Sequence, residues 1–441
     1  MKKLIIYSIV IFSFAYAEAQ QNKGWTLQEC IQQAIDKNIS IKNGELDKEV
    51  AVVEKRDALG NFLPSLNLSA SRNVSQGFQF NPVTGFENDK RTNLSARVNS
   101  NLTIFDGLRS FRQFKRAGLS AEAADYRLQN LIDNTALNVA NTYLNVLFNR
   151  DNLQVLLMQH EVTNSQIKQT ENLVEAGSLP RGDLLEIKAT YENENQQIIT
   201  AQNSLAISKL NLAQLLMVED YENFDVVEMD YSLPVASILD NDVDQVVNNA
   251  LDTRSEIKIA EMNKKLSSQD LLIARSGYSP TVSGFFSYNT AAQEDTQLDI
   301  TDQLYLLDGI SYGLSLNVPV FNGFSVRNQV DRAEINLERA NFAEQQAKLD
   351  LEALVYRAYT DAEGSKVAYG SSLKTLEARR TAFEYSQERY NVGLLNAFDF
   401  EQSRQLVVSA ENQVIQSKYQ YIFNLKVLEL YFGVPVNELK L

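Results

Sequence analysis

The stretch Ile104-Phe105-Asp106-Gly107-Leu108 has a close counterpart, Val320-Phe321-Asn322-Gly323-Phe324, 216 residues further along the chain. In both copies a phenylalanine closes an alternating segment, and Asp or Asn and then glycine follow it. Asp and Asn are good helix N-caps, because a side-chain oxygen accepts a hydrogen bond from a free N–H of the first turn. Glycine permits a sharp backbone turn. Each copy therefore predicts a strand that ends at the phenylalanine and a helix that begins at the glycine.

The same spacing relates other pairs of similar residues along the whole chain. These pairs are Ala34 and Ala250, Pro64 and Pro280, Tyr143 and Tyr359, Gly177 and Gly393, and Asp183 and Asp399. Because one shift without gaps aligns the two halves, the chain is interpreted as a tandem duplication. We expect a first repeat at 20–230, a linker at 231–240 and a second repeat at 241–441, which together form one pseudo-symmetric object.

Period-two alternation of apolar and polar residues predicts two strands in each repeat. They span about 63–74 and about 94–105 in the first repeat, and about 279–290 and about 310–321 in the second. A length of about 10 residues is what a tilted strand needs to cross a bilayer. Arg97 falls on the polar face, where it can remain in water. From the strands alone, a soluble sandwich with one wet face is the alternative.

Four strands in one chain are too few to close a barrel, and lipid does not tolerate open sheet edges. If the strands lie in a membrane, several chains must share the barrel. Two chains supply eight strands and three chains supply twelve. The polar face carries small residues that would underfill an eight-stranded centre, whereas a twelve-stranded barrel would hold water. Phe105 and Phe321 would then lie near the membrane edge.

The remaining segments show the heptad-like spacing of long coiled-coil helices. We predict helices at about 107–176 and about 183–217 in the first repeat, and at about 323–392 and about 399–432 in the second. No proline interrupts the chain between Gly107 and Gly177 or between Gly323 and Gly393. Each of these stretches would be about 105 Å long as one helix, which indicates a rod or tube. The predicted fold class is mainly α with a membrane β-barrel.

The amino terminus has the pattern of a secretory signal peptide at residues 1–19. Lys2 and Lys3 precede an apolar run, and the small residues Ala17 and Ala19 follow it. This pattern predicts cleavage near Ala19. A membrane anchor is the alternative, although the run is shorter than the ~18 residues of a spanning helix. Cys30 lies in an amphipathic stretch and is expected to be a small buried hydrophobe.

Composition and residue counts argue against several classes of function. The formal net charge of −15 disfavours binding to nucleic acid. His160 is the single histidine and Cys30 the single cysteine, so no His/Cys metal site or nucleophile–base pair can form within one chain. No phosphate-binding glycine loop is present. We expect neither an enzyme nor a cofactor, and the scattered methionines give no support to a channel for soft metal ions.

The duplicated layout, the Phe-[Asp/Asn]-Gly junctions and the turn segments 176–184 and 392–400 together resemble the TolC family of outer-membrane efflux channels. This resemblance covers essentially the whole mature chain. It implies a homotrimer with a twelve-stranded barrel in the outer-membrane lipid and a long α-helical periplasmic tunnel. It also implies that the tip of the tunnel docks on a periplasmic membrane-fusion adaptor. The adaptor links the channel to an inner-membrane pump of the RND or ABC type, and the channel itself performs no chemistry.

The resemblance assigns gate roles to several residues near the turns. Asp399 would line the closed periplasmic entrance as one member of an acidic ring, while Gln402 replaces the residue of a second ring. Tyr390 and Asp183 match a closing link, for which a Tyr390–Asp183 hydrogen bond is the expectation, and Leu395 replaces its basic member. From the residues alone, Asp183 and Asp399 fit helix N-caps, with Glu186 and Gln402 completing capping boxes. Tyr390 also fits ordinary coil packing.

The exposed turns are the candidate docking surface for the adaptor. Their residues are Gly177, Ser178, Leu179, Gly393, Leu394 and Leu395. The two adjacent leucines are apolar at an expected tip and would need a partner, unless both pack back onto the coil. The competing interpretation of the chain is a structural or adhesive trimeric coiled coil with a small β-barrel anchor. Two duplicated hairpins argue against an adhesin, which needs only one anchor.

Overall fold

The computed structural model describes residues 24–81, 85–227, 237–240, 242–294 and 298–435. The expected signal peptide, residues 231–236 of the expected linker and residue 241 of the expected second repeat lie outside this part of the chain. The fold is mostly helical, at 72%, with one antiparallel sheet, as the sequence predicts. None of the described helices has an apolar stretch long enough to cross a membrane.

The element order is nearly the same in the two halves. In the first half α1 (Leu27–Lys37), α2 (Ile39–Gly60), β1 (Ser65–Asn81), β2 (Gly85–Phe105), α3 (Arg109–Glu175) and α4 (Arg181–Leu215) follow one another. In the second half the order is α5 (Val243–Thr253), α6 (Ser255–Arg275), β3 (Thr281–Gln293), α7 (Ile300–Leu306), β4 (Gly309–Asn317), α8 (Ser325–Asn391) and α9 (Ala397–Tyr431). Both α3 and α8 have 67 residues, and both α4 and α9 have 35.

The chain forms two compact units that do not coincide with the sequence repeats. As far as they are described, the first unit comprises Met1–Gly44, Gln129–Arg254 and Lys348–Leu441, and the second comprises Glu45–Leu128 and Ser255–Ala347. Each unit therefore takes elements from both repeats. The two repeats share the order of their helices and strands, but each compact unit combines elements from both repeats.

The second unit contains the sheet, in which each strand pairs antiparallel with the next in the order β1-β2-β3-β4. The register aligns Leu68, Val98, Tyr288 and Ile310 in one row across all four strands. The neighbouring row, on the opposite face, contains Ser69, Arg97, Asn289 and Gly309. Because side chains alternate between faces, one face of the sheet is mainly apolar, with Arg72 and Ser100 as exceptions, and the other is mainly polar, with Phe285 as an exception.

The apolar face remains exposed in the single chain. Leu68 is 75% exposed on β1 and Ile310 is 62% exposed on β4. Burying such side chains is worth roughly 1.5–3 kcal/mol each. Val98 and Tyr288 of the same row are partly exposed. An apolar face with this exposure indicates a surface that is covered by something other than water.

Three strand expectations need correction. The β1–β2 pairing continues to Asn81 and Gly85, so residues 75–81 and 85–93, expected to be part of a loop, are strand. The many polar residues of this part hide a period-two signal, and the rings of Phe80 and Phe86 contact each other across the two strands. At the other end, β4 stops at Asn317 rather than Phe321, because Pro319 has no N–H to donate. The short helix α7, between β3 and β4, was not predicted.

The first unit has a hydrophobic core built from α1, α3, α4 and α9. Its buried members include Leu27, Tyr143, Leu212 and Ile422. Cys30 is fully buried in this core, and burial raises the pKa of its thiol to about 12. This confirms the expectation that Cys30 is a small buried hydrophobe.

The two strand-to-helix junctions are similar in backbone conformation but differ in their hydrogen bonds. Phe105 ends β2, and the Asp106 carboxylate accepts a hydrogen bond of 2.8 Å from the Ser110 N–H in the first turn of α3. In the second junction the backbone carbonyl of Asn322 accepts from the Ser325 N–H at 3.2 Å. The predicted capping by a side chain is therefore seen at Asp106. For Asn322 it is wrong, because the backbone supplies the acceptor.

The junction glycines adopt the left-handed conformation, with φ of 69° at Gly107 and 60° at Gly323. The residue after each glycine, Leu108 or Phe324, also has a positive φ. The surroundings of the two glycines differ. A Cβ at position 107 would approach Ser279 to less than 3.0 Å, whereas a Cβ at position 323 would meet nothing within 4 Å.

These surroundings predict that Gly107→Ala is more destabilising than Gly323→Ala. Both variants force alanine into a left-handed conformation, at a cost of about 1 kcal/mol. Gly107→Ala must also displace Ser279, so we expect a total of about 2–3 kcal/mol. Thermal melting of the two purified variants in detergent measures the difference. Equal melting temperatures would contradict the packing described at the first junction.

Candidate functional site

The two helical hairpins of the first unit, α3–α4 and α8–α9, end in turns of the same construction. Gly177 and Gly393 have φ of 71° and 73°. In the first turn the N–H of Ser178 donates to the Leu173 carbonyl at 2.9 Å. In the second, the N–H of Leu394 donates to the Arg389 carbonyl at 2.8 Å. These are Schellman motifs, in which a left-handed glycine closes the helix and satisfies its last carbonyls.

The returning helices are capped differently from the sequence prediction. Helix α4 begins at Arg181 after Pro180, whose side chain makes no capping hydrogen bond. Helix α9 begins at Ala397, and the Asn396 side-chain oxygen accepts from the Asp399 N–H at 2.8 Å. Asp183 and Asp399 therefore occupy the third helical position and are not N-caps, and the predicted capping boxes with Glu186 and Gln402 are wrong.

Their actual position gives the two aspartates a simpler electrostatic role. A carboxylate in the first turn of a helix is stabilised by the free N–H groups there. The Asp399 carboxylate also accepts a hydrogen bond of 2.9 Å from the Asn396 amide. Asp399 and Gln402 are both exposed on α9. Within one chain their side chains are thus available to an aqueous opening.

An aromatic cluster lies directly behind the turns. The ring of Tyr390 stacks on Phe400 with centroids 4.6 Å apart, and Ala397 completes the buried group. Leu179 and Leu395 pack against this cluster and are partly buried. Two of the six predicted docking residues therefore point into the protein, because the cluster offers them an apolar surface.

Three apolar side chains remain exposed at the second turn. Leu394 and Val392 are each 70% exposed, and Phe398 is 65% exposed. We call Val392, Leu394 and Phe398 the tip apolar residues. Sequence reasoning found Leu394 and missed the other two. Their apolar character is visible in the sequence, but their exposure follows from the packing of Leu395 and Ala397 against the aromatic cluster.

The hydroxyl of Tyr390 has a different partner from the one predicted. It lies 3.4 Å from the Thr170 Oγ1 on α3. Burial raises the pKa of Tyr390, and the nearby charge of Asp183 raises it further. The expected Tyr390–Asp183 hydrogen bond is wrong within the chain. Asp183 acts on Tyr390 through space, and the Thr170 contact joins the two hairpins.

A groove of about 470 Å³ lies beside this cluster, between α3 and α8. Its lining includes Met158, Val162, Phe383 and Tyr390, together with several amides. Among the described residues no group of three or more His, Cys, Asp or Glu side chains could hold a metal ion.

Comparison with known proteins gives a consistent assignment. The family model for outer membrane efflux proteins matches residues 30–216 and 246–434, two segments whose first residues are 216 apart. The outer membrane protein TolC of Escherichia coli is 22% identical, with 96% of this chain and 85% of TolC aligned. The alkaline protease secretion protein AprF of Pseudomonas aeruginosa is 21% identical, with 75% of this chain and 68% of AprF aligned.

Solved structures share the fold. The crystal structure of CusC superposes with a TM-score of 0.78 at 15% sequence identity and covers 96% of both chains. The family model accounts for most of the chain, and its two matched segments follow the internal duplication. The chain therefore belongs to the outer membrane efflux protein family.

Proposed function

We propose that this protein is a passive exit channel of the outer membrane, through which a pump in the inner membrane expels its substrates. The observation that carries the proposal is the exposed apolar face that runs across all four strands. Family membership supports the channel over a structural or adhesive coiled coil. The names of two relatives, an outer membrane protein and a protease secretion protein, support efflux or secretion as the process.

The apolar face fits a lipid environment. Its exposed residues include Leu66, Leu68, Tyr312, Leu314 and Leu316. Arg97, by contrast, lies on the opposite face with serine and asparagine neighbours. An arginine facing lipid near the midplane would cost about 2–4 kcal/mol. The polar face is therefore suited to water and the apolar face to acyl chains.

Open edges argue for assembly. Within the described residues β1 and β4 each pair with one strand only, and unpaired backbone groups are not tolerated in hydrocarbon. Pairing β1 of one copy with β4 of the next closes the sheet. Three copies give a twelve-stranded barrel wide enough for water. Since β4 has 9 residues and β1 has 17, the outer part of the β1–β2 hairpin would project beyond the shared barrel.

The turns would face the periplasm at the far end of the helices. There the tip apolar residues, with Gly177, Ser178 and Gly393, would dock on the membrane-fusion adaptor, which joins the channel to a pump of the RND or ABC type. Asp399 from three copies would form an acidic ring at the entrance, with Gln402 one turn further on. The signal peptide would direct export and be removed near Ala19.

Docking predicts that Leu394→Glu abolishes efflux while the protein still assembles. Leu394 is exposed, so a charge there costs the fold little but opposes burial against an adaptor. Leu395→Glu is the contrasting variant. Leu395 packs against the aromatic cluster, so the loss of this packing should lower the melting temperature. The measurement is drug tolerance of cells alongside the amount of assembled protein in the outer membrane. Normal tolerance with Leu394→Glu would rule out docking through this residue.

The acidic ring predicts a change in ion selectivity. Asp399→Asn should reduce the preference of the channel for cations, since it removes one charge per copy from the entrance. Gln402→Glu should increase the preference by restoring a second ring. Reversal potentials in a salt gradient across a planar bilayer give the ratio of cation to anion permeability directly. If neither variant changes that potential, the entrance is not lined by these residues.

A further inference from the structure

A buried charged cluster lies in the first unit, deeper than the aromatic cluster and separate from the exposed tip. Its centre is Arg404 on α9, which is only 4% exposed. Arginine is almost never buried to this extent unless it is paired. The gate and docking residues described above do not include it, so its burial needs a separate explanation.

The guanidinium of Arg404 joins three helices. Its Nη2 donates to Glu194 Oε1 on α4 at 3.0 Å and to Glu401 Oε2 on α9 at 2.6 Å. Its Nη1 donates to the Thr163 hydroxyl on α3. The amide of Gln159, with its oxygen toward Arg404, accepts from Nη1 at 2.8 Å and from Nε at 2.9 Å. Arg404 therefore ties the second hairpin to both helices of the first.

The cluster has one negative charge too many. Two carboxylates, Glu194 and Glu401, share one guanidinium, and each has one buried oxygen without a hydrogen-bond partner among the described residues. Such orphaned charged groups are costly. Burial raises the pKa of Glu401, as do the charges of Glu194 and Glu186, while Arg404 opposes the shift. The surplus negative charge of the cluster thus favours the binding of an additional proton.

His160 is placed to supply the missing positive charge. Its ring stacks on Tyr191 of α4 at a centroid distance of 4.0 Å. Its Nδ1 is buried without a hydrogen-bond partner among the described residues and lies 3.7 Å from Glu194 Oε2. A proton on Nδ1 would give Glu194 a second donor and bring the cluster to two positive and two negative charges. In the part of the chain that the structure describes, Arg404 and Glu401 from α9 and Glu186 from α4 also face this region.

We propose that Arg404, Glu194, Glu401 and His160 form a proton-responsive clamp that holds α9 against α3 and α4 just behind the tip. A proton taken up by His160 removes the surplus negative charge, so the clamp tightens as the pH falls. Its consequence for gating rests on the proposed channel function. Any separation of the two hairpins at the tip must break this clamp, and closure is therefore favoured at acidic pH.

Hydrogen exchange of the full-length mature protein in detergent tests the clamp without requiring a conducting channel. Amides of α9 around Arg404 should exchange about fivefold to tenfold more slowly at about pH 5.5 than at about pH 7.5, after correction for intrinsic chemistry, as expected for linkage to one proton. His160→Gln should lose most of this difference, because glutamine cannot gain charge. Glu194→Gln should also lose it, because its cluster has no surplus charge at either pH.

Glu411→Gln is the matched control. Glu411 is also on α9, but its partner Arg380 is exposed and the pair links α9 to α8 only. This variant should keep the pH dependence of the wild type. The clamp is overturned if His160→Gln and Glu194→Gln retain that dependence, or if protection in the wild type falls with acidification.

Planar-bilayer recordings of the same samples separate the clamp from the channel. Wild type should show a lower open probability at the acidic pH, with the dependence lost in His160→Gln. Exchange that follows the prediction, without any channel events, would support the clamp and contradict the proposed channel. Channel events accompanied by pH-independent exchange would support the channel and overturn the clamp.

Discussion

A sheet whose apolar face stays exposed imposes the constraint from which the rest of this structure follows. Backbone N–H and C=O groups in hydrocarbon must all be paired, so four strands from one chain are insufficient. The register that aligns Leu68, Val98, Tyr288 and Ile310 leaves β1 and β4 as edges within the described chain. In the proposed assembly, pairing of those edges between copies would remove the conflict. The opposite face, which carries mainly serine and asparagine, would then enclose water.

The long helices form hairpins that end in tight turns. Helices of 67 residues are possible because no proline interrupts them, and left-handed glycines end the first of each pair cleanly. Behind the turns, the contacts that join the hairpins are of two kinds. The Tyr390 hydroxyl makes a polar contact with Thr170, and Arg404 makes a buried ionic contact with Glu194.

The sequence was sufficient for features that local chemistry determines. Period-two alternation located the apolar strands, and Gly177 and Gly393 marked the ends of two helices.

The sequence alone was insufficient for features that depend on tertiary contacts. The many polar residues in the outer part of the β1–β2 hairpin hide the alternation, and Leu395 packs inward while Leu394 does not because an aromatic surface lies on one side only. Capping at Asn396 rather than Asp399 depends on where the turn ends. His160 and Arg404 lie on different helices, so no spacing along the chain could connect them.

The most direct test of the central claim is the single-channel conductance of the purified mature protein in a planar bilayer. Wild type should be recorded beside Tyr390→Ala, which removes the ring stacked on Phe400 and loosens the tip. Each protein should give discrete channel events of uniform conductance. Wild type should be mostly closed and have a small conductance, and the variant should have a larger conductance. Silence from wild type with clear events from the variant would still fit a pore closed at its tip. Silence from both proteins, at confirmed insertion into the bilayer, would contradict the channel and favour a structural role.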